Sequence, residues 1–202
     1  MMEQKLSPKT FNFKSIKGIS LNQLEQHYKL YEGYVDKVNT IWGEINEQRD
    51  FSGENAIYSP YRSLLVAQSF ALDGVKLHEL YFENMNGEVK GISSFVYEAI
   101  MDSFGSYDYF EKLFKNAALA VRGWVVLAYE PIDGKLHIYG QDSHDSGPIW
   151  KAYPLLVIDV YEHAYMIDFG IDRKKYIDVF MSNIDWRVVN NRLIALKKML
   201  NC

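Results

Sequence analysis

The sequence predicts an α+β protein: a long N-terminal α-helical hairpin followed by an α/β domain with a small antiparallel sheet of about three strands. Three observations carry this. Apolar residues recur at helical spacing through most of residues 21–85. Short β-branched and aromatic runs around a turn dipeptide occur only after residue 123. Helical periodicity then resumes and lasts to the C-terminus. The expected division is 1–88 for the hairpin and 89–202 for the α/β domain.

Each element has a local reason. Ser20 is an N-cap ahead of Leu21, Leu24, His27, Tyr28, Tyr31, Tyr34, Val35, Val38, Ile41 and Trp42, which predicts a helix over about 21–47. A polar loop follows. A second helix is expected over 61–85, through Leu64, Leu65, Phe70, Leu72, Leu77, Leu80 and Tyr81, with a break or kink near Asp73-Gly74. Asn86-Gly87 is a turn signal. Helices are expected over 94–101 and 107–121, on either side of Phe104-Gly105-Ser106. Strands at 124–129 and 135–139 flank Asp133-Gly134, a hairpin signal. A third strand is expected over 155–158, and helices over 173–181 and 185–200.

Composition sets the bounds. Of 202 residues, 48% are hydrophobic and 15% aromatic, enough for a sizeable core and against disorder. The net charge of -4 comes with no basic stripe, which disfavours a nucleic-acid role. The single Cys, Cys202, excludes an internal disulfide and reads as an exposed tail thiol. Met1 to Lys9 lack an apolar leader core, and no apolar run has membrane-spanning length, so a cytoplasmic protein is expected. Phosphate loops, nucleophile elbows and His-Glu-x-x-His are absent from the sequence.

The most telling run is Asp159-Val160-Tyr161-Glu162-His163-Ala164-Tyr165, directly after the apolar segment 154–158. A carboxylate closing a buried strand needs a charged partner. Asp and His together suit iron or manganese, which accept mixed oxygen and nitrogen donors. Of the remaining histidines, His27 and His78 lie among apolar residues of the two long helices. Facing helices can supply such ligands to one ion, although each His taken singly also reads as a core residue. His144 lies in a polar loop and His137 in a hairpin strand, where it reads as a surface residue.

These residues resemble the iron/manganese superoxide dismutases over nearly the whole chain. The run at 159–165 is similar to that family's Asp-x-Trp-Glu-His-Ala-Tyr signature, with Tyr161 in place of Trp. Residues 20–39 look like its first ligand helix, Phe104-Gly105-Ser106 and Gly123-Trp124 match in order, and Arg173 with Tyr176 and Asn183-x-x-Trp186 look like its last helices. The resemblance implies one iron or manganese ion per subunit, held by His27, His78, Asp159 and His163 with a solvent molecule, and conversion of superoxide to oxygen and hydrogen peroxide. It implies His144 as the hydrogen-bonding partner of that solvent, since Gly74, four residues before His78, has no side chain to offer. Tyr34 matches the family's gateway Tyr, seven residues after His27, and regular helix returns it to nearly the same face. Glu162 resembles a residue that reaches across a homodimer to His163 of the other subunit. Trp124, Tyr161, Tyr81 and Phe82 are expected to wall the site, and Arg173 and Lys29 to give the channel mouth positive potential. Leu30 or Tyr31 and Met166 stand where the family has a His and a Tyr on its proton route, and Tyr31 is the candidate substitute. Two other readings compete: a related metal-binding or assembly scaffold without turnover, and a facial triad of two His and one carboxylate in a non-haem iron oxygenase.

Overall fold

The chain is described by a computed structural model covering residues 5–47, 50–86, 91–147 and 149–200. Two long helices come first, α1 (Leu21–Asn46) and α2 (Pro60–Glu83). Ser20 caps α1 by accepting from the Gln23 N–H, and Pro60 opens α2 at a position where no backbone donor is needed. Leu24, His27, Tyr31, Val35, Val38 and Ile41 are the buried stripe of α1. Its three- and four-residue spacing lays one face against α2.

The expected break at Asp73-Gly74 is absent: α2 is helical across it. Gly74 is there for space. A Cβ at this position would meet the Tyr34 ring at 3.1 Å and His144 at 3.3 Å. Packing, not backbone flexibility, accounts for this glycine.

Helices α3 (Ser94–Phe104) and α4 (Tyr107–Ala120) lead into strands β1 (Trp124–Glu130), β2 (Lys135–Gln141) and β3 (Tyr153–Asp159). The sheet is antiparallel throughout, in the order β2-β1-β3. Gly134, at φ +73, turns β1 into β2. The β1–β3 register shifts between Leu127 and Ala128, where Pro154 offers no ladder donor. Central β1 is buried along its whole length. After β3 come a single 3-10 turn (Glu162–Ala164) and α5 (Met166–Phe169), then α6 (Arg173–Ser182) and α7 (Trp186–Leu200). The expected Asn86-Gly87 turn lies partly, and the 88/89 boundary and Cys202 wholly, outside the described residues.

Polar clamps join the hairpin to the sheet. Asn84, just past α2, donates to the Val157 carbonyl at 2.6 Å. The Arg192 guanidinium of α7 donates to Asn84 Oδ1 and to the Leu155 and Leu80 carbonyls, and pairs with Glu83. These are charge-assisted bonds in a partly buried seam. They fix the end of the helix carrying His78 against the strand carrying Asp159. The N-terminal segment crosses the hairpin and is held by Asn39, which bonds Leu6 in both directions.

Candidate metal centre

Four elements converge at the C-terminal end of β3. His27 comes from α1, His78 from α2, Asp159 from the last position of β3, and His163 from the 3-10 turn. One ligand atom from each of them lies within 4.8 Å of the others. Asp159 Oδ2 is 3.1 Å from His27 Nε2, 3.2 Å from His163 Nε2 and 3.7 Å from His78 Nε2. His27, His78 and Asp159 are buried, while the His163 side chain is 32% exposed. The structure thus gathers a third imidazole around the carboxylate, which the facial-triad reading left out.

The hydrogen bonding assigns the faces of these groups. Asp159 Oδ1 accepts from the Tyr161 N–H at 2.9 Å, so Oδ2 is the oxygen left facing the imidazoles. The Asp159 carbonyl is held by the Tyr176 hydroxyl at 2.7 Å. His78 Nδ1 lies 2.6 Å from the Gly74 carbonyl, which can only accept. Nδ1 therefore carries the hydrogen, and Nε2 of the neutral ring presents a lone pair to the cluster. That Nε2 is buried and has no hydrogen-bond partner among the described residues. A buried, unpartnered imidazole lone pair beside a carboxylate fits a cation.

Electrostatics point the same way. Burial, together with the neighbouring His27, pushes His78 down to about 3, and burial also lowers His27. Both rings are therefore neutral donors at ordinary pH. Burial opposes ionisation of Asp159, but the facing His163 and His27 draw its carboxyl well below the usual range. One carboxylate and three imidazoles suit a divalent or trivalent ion of borderline hardness, and the residues present fit iron or manganese.

A second layer adjoins the cluster. Trp124 donates its indole N–H to His144 Nδ1 at 2.9 Å, and His144 Nε2 lies 2.7 Å from the Tyr34 hydroxyl. An indole only donates, so Nδ1 accepts and neutral His144 carries its hydrogen on Nε2. That hydrogen goes to the Tyr34 oxygen, leaving the hydrogen of Tyr34 itself unclaimed by His144. Burial lowers the His144 pKa and raises that of Tyr34, so neither is charged at neutral pH. The Tyr34 ring packs 5.4 Å from His78, and Tyr161 stacks on His163 at 5.2 Å. Tyr81 and Phe82 pack against His27 at 5.1 and 5.0 Å.

Other sequence candidates lie elsewhere. The Tyr31 hydroxyl accepts from the Lys9 N–H and donates to Glu79, so it faces the N-terminal segment rather than His144. Arg173 donates to the Val121 carbonyl and the Tyr165 hydroxyl, and its guanidinium lies 3.8 Å from Glu162. It does not line the groove that opens over Tyr34. Lys29, Lys37 and Arg62 line that groove, with Leu30, Val66 and Phe70 on its walls and one carboxylate, Asp145. None of these three cations pairs with a described residue. Sequence reading missed Lys37 and Arg62 because the α1–α2 packing that brings them together is not local. His137 pairs with Asp133 at the hairpin end, far from the cluster in the sheet register.

Comparison with known proteins agrees with this geometry. Residues 93–192 match the family model for the C-terminal domain of iron/manganese superoxide dismutases. The chain is 40% identical over 193 residues to a superoxide dismutase [Fe] of Aquifex pyrophilus, covering 93% of this chain and 91% of that protein.

The chain belongs to the iron/manganese superoxide dismutase family.

A second superoxide dismutase [Fe], from Aquifex aeolicus, is 41% identical over 182 residues, 88% of this chain and 85% of its own. A superoxide dismutase [Mn] 2 of Halobacterium salinarum is 32% identical over 161 residues, covering 79% and 78%. Members named for either metal therefore align with this chain, in keeping with a donor set that both ions accept.

Proposed function

We propose that this chain is a superoxide dismutase, turning two superoxide anions and two protons into one dioxygen and one hydrogen peroxide. One iron or manganese ion per subunit is held by His27, His78, Asp159 and His163. The carrying observation is the convergence of three imidazoles and one carboxylate around a buried, unpartnered ring nitrogen. When bound, the ion would supply the one-electron redox couple that this conversion needs. Iron is taken first, because the two relatives at 40 and 41% identity are named for it, with manganese as a working substitute. That all four donors converge in a member of this family leaves the non-turnover scaffold without a supporting observation.

The protein's own groups handle charge and protons. Lys29, Lys37 and Arg62 draw the anionic substrate toward Tyr34. The Trp124–His144–Tyr34 chain holds three groups in one donor direction, so the Tyr34 hydroxyl hydrogen is available to solvent or substrate entering by the groove that Tyr34 lines. Buried Trp124, Tyr81 and Phe82 exclude water from their side of the cluster.

The working form in this reading is a homodimer joined around Glu162 and His163, in the cytoplasm. His163 is the least covered of the four donors, and the Glu162 side chain beside it is 62% exposed. A two-fold contact that seats Glu162 on the partner's ligand turn would shield both. No described helix is long and apolar enough to cross a membrane.

Metal analysis with a superoxide assay, on wild type and His163→Ala, tests the function. Separate iron and manganese loading assigns the metal, and sedimentation of wild type against Glu162→Ala tests the dimer. Metal-loaded wild type that leaves superoxide untouched would reject the proposal.

A further inference from the structure

Gln23 is fully buried one turn before His27 and takes no part in the donor set. Its side chain makes two hydrogen bonds, both to backbone that follows β3. The amide N–H donates to the His163 carbonyl at 2.7 Å, and the amide oxygen accepts from the Ile167 N–H at 3.0 Å. Only one orientation of the amide satisfies both, because a carbonyl needs a donor and an N–H needs an acceptor. The same end of α1 adds a third tie, from the Ser20 N–H to the Asp168 carboxylate. Four residues separate Gln23 from His27, so both side chains lie on one helix face. Gln23 meets the His163 main chain, while the His27 ring lies 5.0 Å from the His163 ring.

We propose that Gln23 is a positioning residue for the metal centre, setting the distance and tilt between the His27 and His163 imidazoles by clamping the His163 main chain to helix α1. The proposal rests on the reading of His163 as a ligand. His163 is the donor most in need of such help. Its ring is a third exposed, and its element is one 3-10 turn whose internal bonds are Ala164 N–H to Tyr161 O and Tyr165 N–H to Glu162 O. So short a turn fixes a side chain weakly on its own. The other three donors sit on α1, on α2 and at the end of β3, each braced along its length. Groups that orient metal ligands commonly change metal affinity by about 10–100-fold when removed.

Two substitutions isolate the effect. Gln23→Met keeps the length and removes both bonds. Gln23→Glu keeps an acceptor for Ile167 and, measured at a pH high enough to ionise the buried carboxyl, places oxygen, not N–H, toward the His163 carbonyl. Asn183→Leu is the control. Asn183 is also a buried amide, bonding Lys17 in both directions, but it ties backbone away from the cluster. The readouts are iron release to a chelator, the ferric electron paramagnetic resonance line shape, and Tm. The Gln23 variants are expected to release iron about tenfold faster or more, with a changed ferric signal. Asn183→Leu is expected to lower Tm with neither change. If the Gln23 variants keep the wild-type release rate and signal and only lose Tm as the control does, Gln23 is ordinary framework and the proposal is overturned. Should Gln23→Met not fold, Gln23→Glu decides by the same criteria. His163→Ala is measured alongside. If it holds iron as tightly as wild type, the ligand reading itself has failed, a result distinct from failure of the clamp alone.

Discussion

Gly74→Ala separates stability from function at this site. A Cβ at residue 74 would lie 3.1 and 3.2 Å from Tyr34 ring atoms and 3.3 Å from His144 Cδ2. Carbon atoms settle at about 3.5–4.0 Å, so these side chains must yield by roughly 0.4 Å. Two stability effects oppose. Alanine gains about 1 kcal/mol over glycine inside a helix. Overpacking a buried contact costs about 1–3 kcal/mol. The net change lies between roughly zero and 2 kcal/mol of destabilisation, a fall in Tm of at most about 8 °C for a chain of this size. Activity has no such compensation. The groups pushed aside are Tyr34 and His144, joined at 2.7 Å, and His144 is also held by Trp124 at 2.9 Å. Misplacing reacting groups by about 1 Å can cost on the order of 100-fold, so a shift of roughly 0.4 Å predicts a fall in kcat of about five- to tenfold. Stopped-flow superoxide decay and a thermal melt on metal-loaded protein measure both. A variant with wild-type kcat and a raised Tm would show that helix propensity alone acts at residue 74, and that the contact with Tyr34 and His144 does not govern turnover.

Three further outcomes are expected. Lys37→Glu combined with Arg62→Glu should lower kcat/KM about tenfold at low salt and flatten its ionic-strength dependence, because both cations line the groove over Tyr34; an unchanged salt slope in pulse radiolysis would refute the steering role. Trp124→Phe removes the donor at His144 Nδ1 and frees the imidazole to carry its hydrogen on either nitrogen, so kcat should fall about tenfold and its pH profile shift; an unaltered profile counts against the donor chain. Metal uptake by the apo-protein should strengthen as pH rises through neutrality. Burial pulls the His163 pKa down, but Asp159 outweighs it and holds the pKa above the ordinary value, so protons compete with the metal at lower pH; titration calorimetry at several pH values checks the sign, and affinity that weakens as pH rises contradicts it.

The main elements and the Asp159–His163 run were legible because each carries a local signal, whereas His27 and His78, which singly read as core residues, were singled out through the family resemblance and are brought beside that run in the fold. Ser20 announces α1 by its cap, Asp133-Gly134 announces the hairpin, and Asp159 stands out as a carboxylate ending an apolar run. What escaped depends on contacts between distant segments. Gln23 looks like an ordinary polar helix residue, since its partners at His163 and Ile167 lie 140 and 144 residues away. Gly74 reads as a break because glycine weakens isolated helices, yet neighbouring side chains fix its identity. The direction of the Trp124–His144–Tyr34 chain required donor and acceptor atoms to be placed. Arg173 and Lys29 were expected together at the mouth, but only Lys29 lines the groove, because the Arg173 guanidinium is drawn to the Val121 carbonyl.

The seam between the hairpin and the sheet has a consequence for when metal can be captured in a growing chain. His27 and Asp159 are separated by 132 residues, and Asn84 and Arg192, which hold the His78 helix against the Asp159 strand, by 108. At roughly 5–20 residues per second of synthesis, the carboxylate emerges on the order of 10 s after the first imidazole. Until then the hairpin offers two neutral rings and no counter-charge, a weak trap for any divalent ion. Arg192 emerges later still, so the bracing that draws Asn84 onto β3 waits for α7. Selection of the metal thereby falls to a chain that has already made α7, and depends on which ion the cell offers then more than on the first ion the helices meet.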